Sequence, residues 1–468
     1  MKAKTKSFFD NPLIRTKITS ANVKPKEAII GYYLGPLCAF ISNAIFGAYL
    51  IKYYSDILGW TDTARFGSVS VLLPLISTIF IIAGNLFVGR LIDNTRTSQG
   101  KARPYLLLSA PFVTIAIALL FLVPTNNTIL ELVWICVSYN LYYSITYPLF
   151  FNSHSSLVGL STRNSKQRGI LATFSNASGV SAVGIAASFI VPMFLQNFLF
   201  VVNPEGGINQ TASYNNWRIF MIFLCLITIF GIILEYFFTR ERITEENIKL
   251  NIKEEKIPLK KQIKAVTSEK YWWLIILYFF LFQLGGLCKN SSMTYFCDWV
   301  LEGPLSKGTG MGLLALIGGI PTTIGMLIAW PIANKLGKQK SIVIGMIISV
   351  LGGLVSFIDV SDFYIVCIGV VLKGVGSIPA MYVALALLSD VLDHLEAKNK
   401  FRSDGFTMTV YGSIMVGLTG LSAAIINMFL TSTGYDPTLA VQNDLTKAGL
   451  SWCYLGIELV CYALIGLM

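Results

Sequence analysis

The sequence predicts an all-α membrane protein with twelve spanning helices, and three observations support that prediction. Charged residues make up only 13% of the 468 residues and apolar residues 54%, whereas soluble proteins average about 25% charged residues. Apolar stretches recur along the whole chain, each near the roughly 20 residues that cross a bilayer. The charges lie mainly in the short segments between these stretches. Lipid is therefore expected to be the main solvent of this chain.

The predicted spans are 27–52, 66–90, 104–124, 129–160, 169–202, 217–239, 270–301, 309–334, 341–358, 362–390, 403–432 and 447–468. Residues 1–26 are basic and polar and lack the apolar segment of a cleavable signal, so the first span is expected to direct insertion. All eight cysteines fall inside predicted spans without a CxxC pair. We expect neither a disulfide framework nor a metal site.

Basic residues are divided unevenly between the two sides of this topology. If residues 1–26 are cytoplasmic, 29 of the 36 lysines and arginines lie on that side, five lie in or beside outer loops and two lie within spans. The positive-inside rule then predicts a protein of the cytoplasmic (inner) membrane with both termini in the cytoplasm. The net charge of +11 reflects topology, so membrane lipids and no nucleic acid are expected as partners.

The most charged internal segment divides the chain into two sets of six spans. Residues 240–270 contain nine basic and six acidic residues. We predict a cytoplasmic N-terminal segment at 1–26, a six-helix bundle at 27–239, a cytoplasmic linker at 240–269 and a second six-helix bundle at 270–468. Six plus six spans around a charged linker is the layout of major facilitator transporters.

Three short motifs relate the chain to a known family. They comprise Asp93, Asn94, Thr95, Arg96, Gly100, Lys101, Arg103 and Pro104; the segment Ser389–Gly405 followed by Gly434 and Tyr435; and Tyr53–Asp56. In these motifs the chain resembles the glycoside–pentoside–hexuronide:cation symporters of the major facilitator superfamily, whose best-known member is the melibiose permease. The resemblance implies a secondary transporter that moves a sugar, glycoside or hexuronide-like anion by alternating access, without a cofactor.

Acidic and basic residues of these motifs suit ion pairs at cytoplasmic helix ends. The expected pairs are Asp93 with Arg96, Lys101 and Arg103, and Asp390 and Asp393 with Lys398, Lys400 and Arg402. Such pairs could hold the cytoplasmic face closed in one of two packings. Alternatively, they only anchor helix ends among lipid headgroups.

The chain departs from the characterised symporters where they carry acids in spans one, two and four and a lysine in span eleven. The corresponding positions here hold Phe40, Ile81, Asn85, Phe151 and Gly417. A sodium site needs hard oxygen ligands and generally anionic charge. We therefore favour a proton over sodium as the coupling ion, with uniport left open.

Two lysines lie within predicted spans, Lys289 in span seven and Lys373 in span ten. Ionisable groups at this depth are costly and usually functional. Folds resembling this one line their cavity with spans one, four, seven and ten, so the lysines predict a pocket for an anionic substrate such as a hexuronide or glucuronide. Alternatively, each lysine pairs with a local acid, for which Asp298 is one candidate, or extends towards the membrane surface.

Other polar residues in the spans have two interpretations each. His154, the one histidine within a predicted span, could carry the coupling proton or make a single helix contact. Glu458 in span twelve is expected to pack against a neighbour as a protonated acid, the alternative being a proton relay. Asn43, Asn85 and Tyr142 could bind substrate or only join helices.

Enzymatic activity is not expected, because the sequence contains no P-loop, GxSxG or HExxH motif. The missing P-loop also argues against an ATP-driven pump. A membrane receptor or scaffold is the non-transporter alternative, although the predicted outer loops are short. Among transporters, an amphiphilic or lipid-like substrate stays open, because the acids of the sugar symporters are missing.

Overall fold

The computed structural model describes residues 15–60, 62, 69–95, 97, 99–124, 127–204, 207–249, 258–399, 404–439 and 441–468. Its long helices are α1 (Glu27–Ile57), α2 (Val69–Asn94), α3 (Arg103–Phe121), α4 (Thr128–Ser161), α5 (Gln167–Leu199), α6 (Gln210–Phe238), α7 (Lys270–Trp299), α8 (Lys307–Leu336), α9 (Lys338–Ser356), α10 (Phe363–Asn399), α11 (Asp404–Thr433) and α12 (Asp444–Leu467). Short helices at Arg242–Lys249 and Leu259–Thr267 lie between α6 and α7.

The long helices confirm the all-α membrane prediction. Within the described residues, 11 of them are long and apolar enough to cross a membrane, and the remaining helix, α8, has 30 residues. Large apolar side chains also project outwards, among them Ile79, Ile129 and Ile222, which are 69%, 74% and 65% exposed. An apolar surface of this extent suits contact with lipid.

Asparagines mark where two of the helices begin. The Asn127 side chain accepts hydrogen bonds from the backbone N–H groups of Ile129 (2.9 Å) and Leu130 (3.2 Å) at the start of α4. Asn443 accepts one from the N–H of Thr446 (2.6 Å) at the start of α12. These caps satisfy N–H groups that have no partner within the helix, and they fix where each helix begins.

The chain divides into two compact units. The first contains Met1–Phe46, Ile79–Ala186 and Tyr214–Glu255, and the second contains Gly47–Thr78, Ala187–Ser213 and Lys256–Met468. Helices α1, α2, α5 and α6 therefore contribute residues to both units. The division into bundles at 27–239 and 270–468 stays a prediction.

Glycines permit close helix contacts within the first unit. A methyl group at Gly31 on α1 would lie 2.4 Å from the carbonyl oxygen of Phe238 on α6. A methyl group at Gly35 would lie 2.8 Å from the backbone nitrogen of Glu235. Small residues let helix backbones approach in this way, and they bring α1 against the part of α6 that carries Glu235.

The second unit packs α7, α9, α10 and α12 around a shared apolar core that includes Trp272, Met346 and Leu388. Glycines again set the closest approach, because a methyl group at Gly345 on α9 would lie 2.3 Å from the carbonyl oxygen of Gly376 on α10. This packing fixes the rotation of α10, which carries Lys373.

Candidate functional site

Three charged side chains from α7, α10 and α12 meet inside the second unit, and we call them the lysine–glutamate cluster. The carboxylate of Glu458 lies 2.5 Å from Nζ of Lys373 through Oε2 and 3.5 Å from Nζ of Lys289 through Oε1. The Tyr462 hydroxyl donates to Oε1 at 2.9 Å. Lys373 and Glu458 are buried, whereas the Lys289 side chain is 23% exposed. With all three ionised, the cluster carries one excess positive charge.

The partner of these lysines differs from the candidate taken from the sequence. Asp298 was a wrong choice, because it follows Lys289 by nine residues on α7, about 13 Å along a helix. Glu458 is the acid that contacts both lysines. Gly285 on α7 permits that contact, since a methyl group there would lie 3.3 Å from Cα of Glu458. Glu458 was expected to be a protonated acid, but the structure places two lysine ammonium groups beside its carboxyl group.

In the first unit, His154 of α4 contacts an acid that sequence reasoning missed. Its Nδ1 lies 2.7 Å from Oε1 of Glu235 on α6, and its Nε2 lies 2.7 Å from Oγ of Ser175 on α5. Phe40 and Phe150 pack against the imidazole, with ring centroids 5.3 and 6.0 Å away. His154 thus makes more than a single helix contact. Glu235 lies within predicted span six, and an acidic residue in a span is a candidate functional residue by default. That position in the sequence could have identified it.

A second buried ionic network lies in the second unit, and we call it the Lys52 network. The Lys52 ammonium on α1 pairs with Asp298 on α7, and Asp56 lies 3.9 Å from Nζ of Lys52. Gln196 of α5 donates to Oδ1 of Asp298 at 2.8 Å. Tyr435, which follows α11, donates to Oδ1 of Asp56 at 3.0 Å. The network therefore joins four segments that are distant in sequence.

Hydroxyl groups complete the Lys52 network. Ser55 donates to Oδ1 of Asp56 at 2.6 Å, and its Oγ lies 2.6 Å from the Tyr295 hydroxyl. The indole N–H of Trp299 donates to the Tyr435 hydroxyl at 3.1 Å. Lys52 and Asp56 are 1% and 0% exposed. The sequence identified Tyr53–Asp56 as a family motif but did not predict its partners.

The predicted polar binding residues pair with each other or with neighbours in the first unit. The Tyr142 hydroxyl donates to Oδ1 of Asn43 at 3.4 Å, which joins α4 to α1. Asn152 donates to Oδ1 of Asn85 at 2.6 Å, which joins α4 to α2. Asn43 is partly exposed, whereas Tyr142 and Asn85 are buried. Their role in substrate binding stays a prediction.

The motif before α3 is organised around an acid from the linker. Glu241 accepts hydrogen bonds from the backbone N–H groups of Lys101 (2.9 Å), Ala102 (2.8 Å) and Arg103 (2.7 Å). The Arg103 guanidinium donates to the carbonyl oxygen of Tyr236 at 3.0 Å. A carboxylate at a helix N-terminus is favourable because the N–H groups there point at it. The Asp93 side chain and Arg96 lie outside the described part of the chain, so their predicted pairing is untested.

At the end of α10, the expected pairing of Asp390 with Lys398 is wrong. Asp390 pairs with Lys338 at 2.7 Å, and Lys398 pairs with Glu269 at 2.7 Å. Asp390 and Lys398 are eight residues apart, about 12 Å along one helix, so each finds a partner on another segment. The hydrogen bond from Lys398 lowers the pKa of Glu269. Asp393 is exposed, and Lys400 and Arg402 lie outside the described residues.

The chemistry offered by these sites is charge and hydrogen bonding. In the described part of the chain, no three His, Cys, Asp or Glu side chains are grouped so that they could hold a metal ion. The clusters instead bury ionisable groups between membrane-spanning helices, where each charge needs a counter-charge or a proton. Such groups can bind a charged solute or a proton as helices rearrange.

The fold and its buried ionic clusters define a multi-pass membrane transporter of the major facilitator class. The solved D-xylose–proton symporter shares this fold, with a TM-score of 0.63 at 12% identity, covering 94% of this chain and 96% of that one. The chain belongs to the MFS/sugar transport protein family, which matches residues 31–468. This match confirms the resemblance to the glycoside–pentoside–hexuronide symporters.

Curated relatives agree with that assignment. The isoprimeverose transporter of Lactiplantibacillus pentosus is 24% identical over 88% of this chain and 82% of its own length. The glucuronide carrier protein homolog of Escherichia coli (strain K12) is 22% identical over 86% of each chain. The protein is therefore a secondary transporter of a small solute, and it is not an enzyme.

Proposed function

We propose that the protein carries a small sugar-like anion, of the hexuronide or glucuronide type, across the cytoplasmic membrane. The supporting observation is the lysine–glutamate cluster, in which two ammonium groups share the one carboxylate of Glu458. An excess charge between membrane-spanning helices is costly. A substrate carboxylate would remove that excess.

Lys289 is the residue that we assign to the substrate carboxylate. Lys373 is buried and lies 2.5 Å from Glu458, so its charge is already compensated. Lys289 lies 3.5 Å from the same carboxylate and its side chain is 23% exposed. It can therefore turn to an incoming anion while the Lys373–Glu458 pair stays intact.

We assign Asn43, Asn85 and Tyr142 to the hydroxyl groups of the sugar. Their amide and phenol groups can donate and accept hydrogen bonds, and the Tyr142 ring offers an apolar face for a sugar ring. The Asn43–Tyr142 distance of 3.4 Å is long for a hydrogen bond, so a substrate hydroxyl can replace it at low cost.

We further propose that both termini face the cytoplasm. The uneven distribution of the 36 lysines and arginines supports this orientation. It would place the Lys52 network near the outer surface and Glu241, Asp390 and Glu269 near the inner surface.

Uptake into proteoliposomes tests the substrate assignment. We expect transport of a radiolabelled aryl glucuronide and weaker transport of the aryl glucoside with the same aglycone. Lys289→Gln should raise KM for the glucuronide about 10- to 100-fold, because a hydrogen bond to a charged group contributes about 1.5–3 kcal/mol. Lys447→Gln is the matched control, since it removes a lysine charge from α12 outside the cluster.

Two outcomes would contradict the assignment. Equal transport of the glucoside, with no effect of Lys289→Gln, would show that the excess charge does not select the substrate. Competition by a lysophospholipid but by neither sugar would favour the amphiphile alternative.

A further inference from the structure

We propose that Glu235, held by His154, is the proton-binding site that couples transport to a proton gradient. The proposal rests on the transport function but not on the charge of the substrate. It differs from the expectation for His154 alone, because it assigns the exchangeable proton to a histidine–carboxyl pair between α4 and α6.

One carboxylate oxygen of the His154–Glu235 pair has no hydrogen-bond partner. Glu235 and His154 are 0% and 2% exposed. Oε1 of Glu235 lies 2.7 Å from Nδ1 of His154, whereas its Oε2 is buried without a hydrogen-bond partner. A buried carboxylate oxygen with no partner is costly. When the pair takes up a proton, its net negative charge is removed, and with it most of the cost of burying the carboxylate.

The counter-charge of Glu235 distinguishes it from three other acids of the long helices. Among the described residues, Glu458 pairs with lysines, Asp298 with Lys52, and Glu27 with Arg242. These partners are lysines and an arginine, which are strongly basic side chains. The ion-pair partner of Glu235 is a histidine, the weakest base among the cationic side chains.

The balance of charge favours exchange of one proton. With a neutral imidazole and an ionised carboxylate, the pair carries one negative charge. Uptake of one proton from water, on either group, makes the pair neutral overall, and its release restores the negative charge. When the pair is buried away from water, the neutral protonated state is favoured. When water reaches the pair, the charged deprotonated state is favoured.

The polar groups that neighbour the His154–Glu235 pair add no unbalanced charge to it. From α1, the Tyr32 hydroxyl faces this region and donates to the carbonyl oxygen of Leu157 at 3.2 Å. Glu27, also on α1, pairs with Arg242 at 2.7 Å and so brings no unbalanced charge. From α5, Ser175 contributes a neutral hydroxyl to Nε2 of His154.

A link to the proposed sugar site runs through α1. Phe40 packs edge-on against His154, with ring centroids 5.3 Å apart. Asn43 follows Phe40 by three residues, so the two side chains lie on one face of the helix. A substrate that displaces Asn43 would therefore act on the helix that covers the proton site.

The first experiment compares two transport modes in proteoliposomes. Glu235→Gln keeps the shape of the side chain but cannot take up a proton. We expect solute exchange across the membrane without a gradient to continue within about threefold of wild type, while accumulation driven by a pH gradient is lost. Glu302→Gln, an exposed acid at the end of α7, is the matched control and should retain both modes.

Infrared titration provides a readout that needs no substrate. Wild-type protein should show a band of the Glu235 carboxyl or carboxylate group that changes with pH and is missing in Glu235→Gln. If that variant does not fold, His154→Gln should shift the titration midpoint by more than about one pH unit. Equal loss of exchange and accumulation in folded Glu235→Gln, or a band unchanged in both variants, would overturn the proposal. If the substrate is a neutral glycoside, the substrate proposal fails, and the proton test proceeds with that glycoside.

Discussion

Replacing Asp298 with asparagine removes the closest counter-charge of Lys52 from the Lys52 network. Breaking a buried ion pair by removing one partner costs about 3–5 kcal/mol, because the remaining charge stays buried. Asp56 still lies 3.9 Å from Nζ of Lys52, so we take the lower value. If the network forms only when α1, α5 and α7 are closed at this end, about 3 kcal/mol shifts the ratio of closed to open states roughly 150-fold.

The native Cys297 is a reporter for that shift. It precedes Asp298 on α7 and is 0% exposed. In a protein whose other seven cysteines are replaced by alanine or serine, we expect Asp298→Asn to increase the rate of Cys297 labelling by a water-soluble maleimide more than tenfold. Glu302→Gln is the control, because its pair with Lys447 is exposed and such pairs contribute about 0–1 kcal/mol.

A clear result would refute this reasoning. If Asp298→Asn binds substrate with wild-type affinity and Cys297 labelling stays within about twofold, the network does not hold this end closed. It would then contribute only to packing. A retained melting transition in detergent would show that the variant is folded in either case.

Two further predictions concern the helix ends. Glu241→Ala should lower the free energy of unfolding by about 2 kcal/mol, because three N–H groups at the start of α3 lose their acceptor. Thermal unfolding in detergent measures this loss. Glu245→Gln is the control, because among the described residues Glu245 accepts no hydrogen bond from the start of α3 and pairs instead with Arg240. The hydrogen bond from Lys398 lowers the pKa of Glu269, so its stabilisation is complete above the ordinary glutamate pKa of about 4.3 and is lost as pH falls through the lowered value. Lys398→Met should therefore lower Tm at pH 7 and not in strong acid, and an equal difference at both pH values would contradict the pairing.

The spans could be predicted because hydropathy is a local property. Each span is a run of apolar residues near the length that a bilayer requires. Helices α1–α12 match the twelve predicted ranges in order, although α6 begins before residue 217 and α10 continues beyond residue 390. The motifs around Gly100 and Tyr435 likewise indicated the family. Residue identity also drew attention to Lys289, Lys373 and His154, because ionisable groups are rare in spans.

Their partners could not be predicted in the same way. Glu458 is 169 residues from Lys289 and 85 from Lys373, and Asp298 is 246 residues from Lys52. Which charges meet depends on how each helix is rotated and how closely its neighbours approach. Those quantities follow from contacts such as the glycines of α9 and α10, and no single segment encodes them.

The sequence by itself determined that this chain spans a membrane many times and which family of transporters it joins. Membrane spanning depends on composition summed over about 20 residues at a time, and the family follows from short motifs of the sequence. The tertiary structure alone decided that His154 meets Glu235 and that Glu458 serves two lysines. Buried charges interact over a few ångströms, and only the packing of distant helices brings them within that distance.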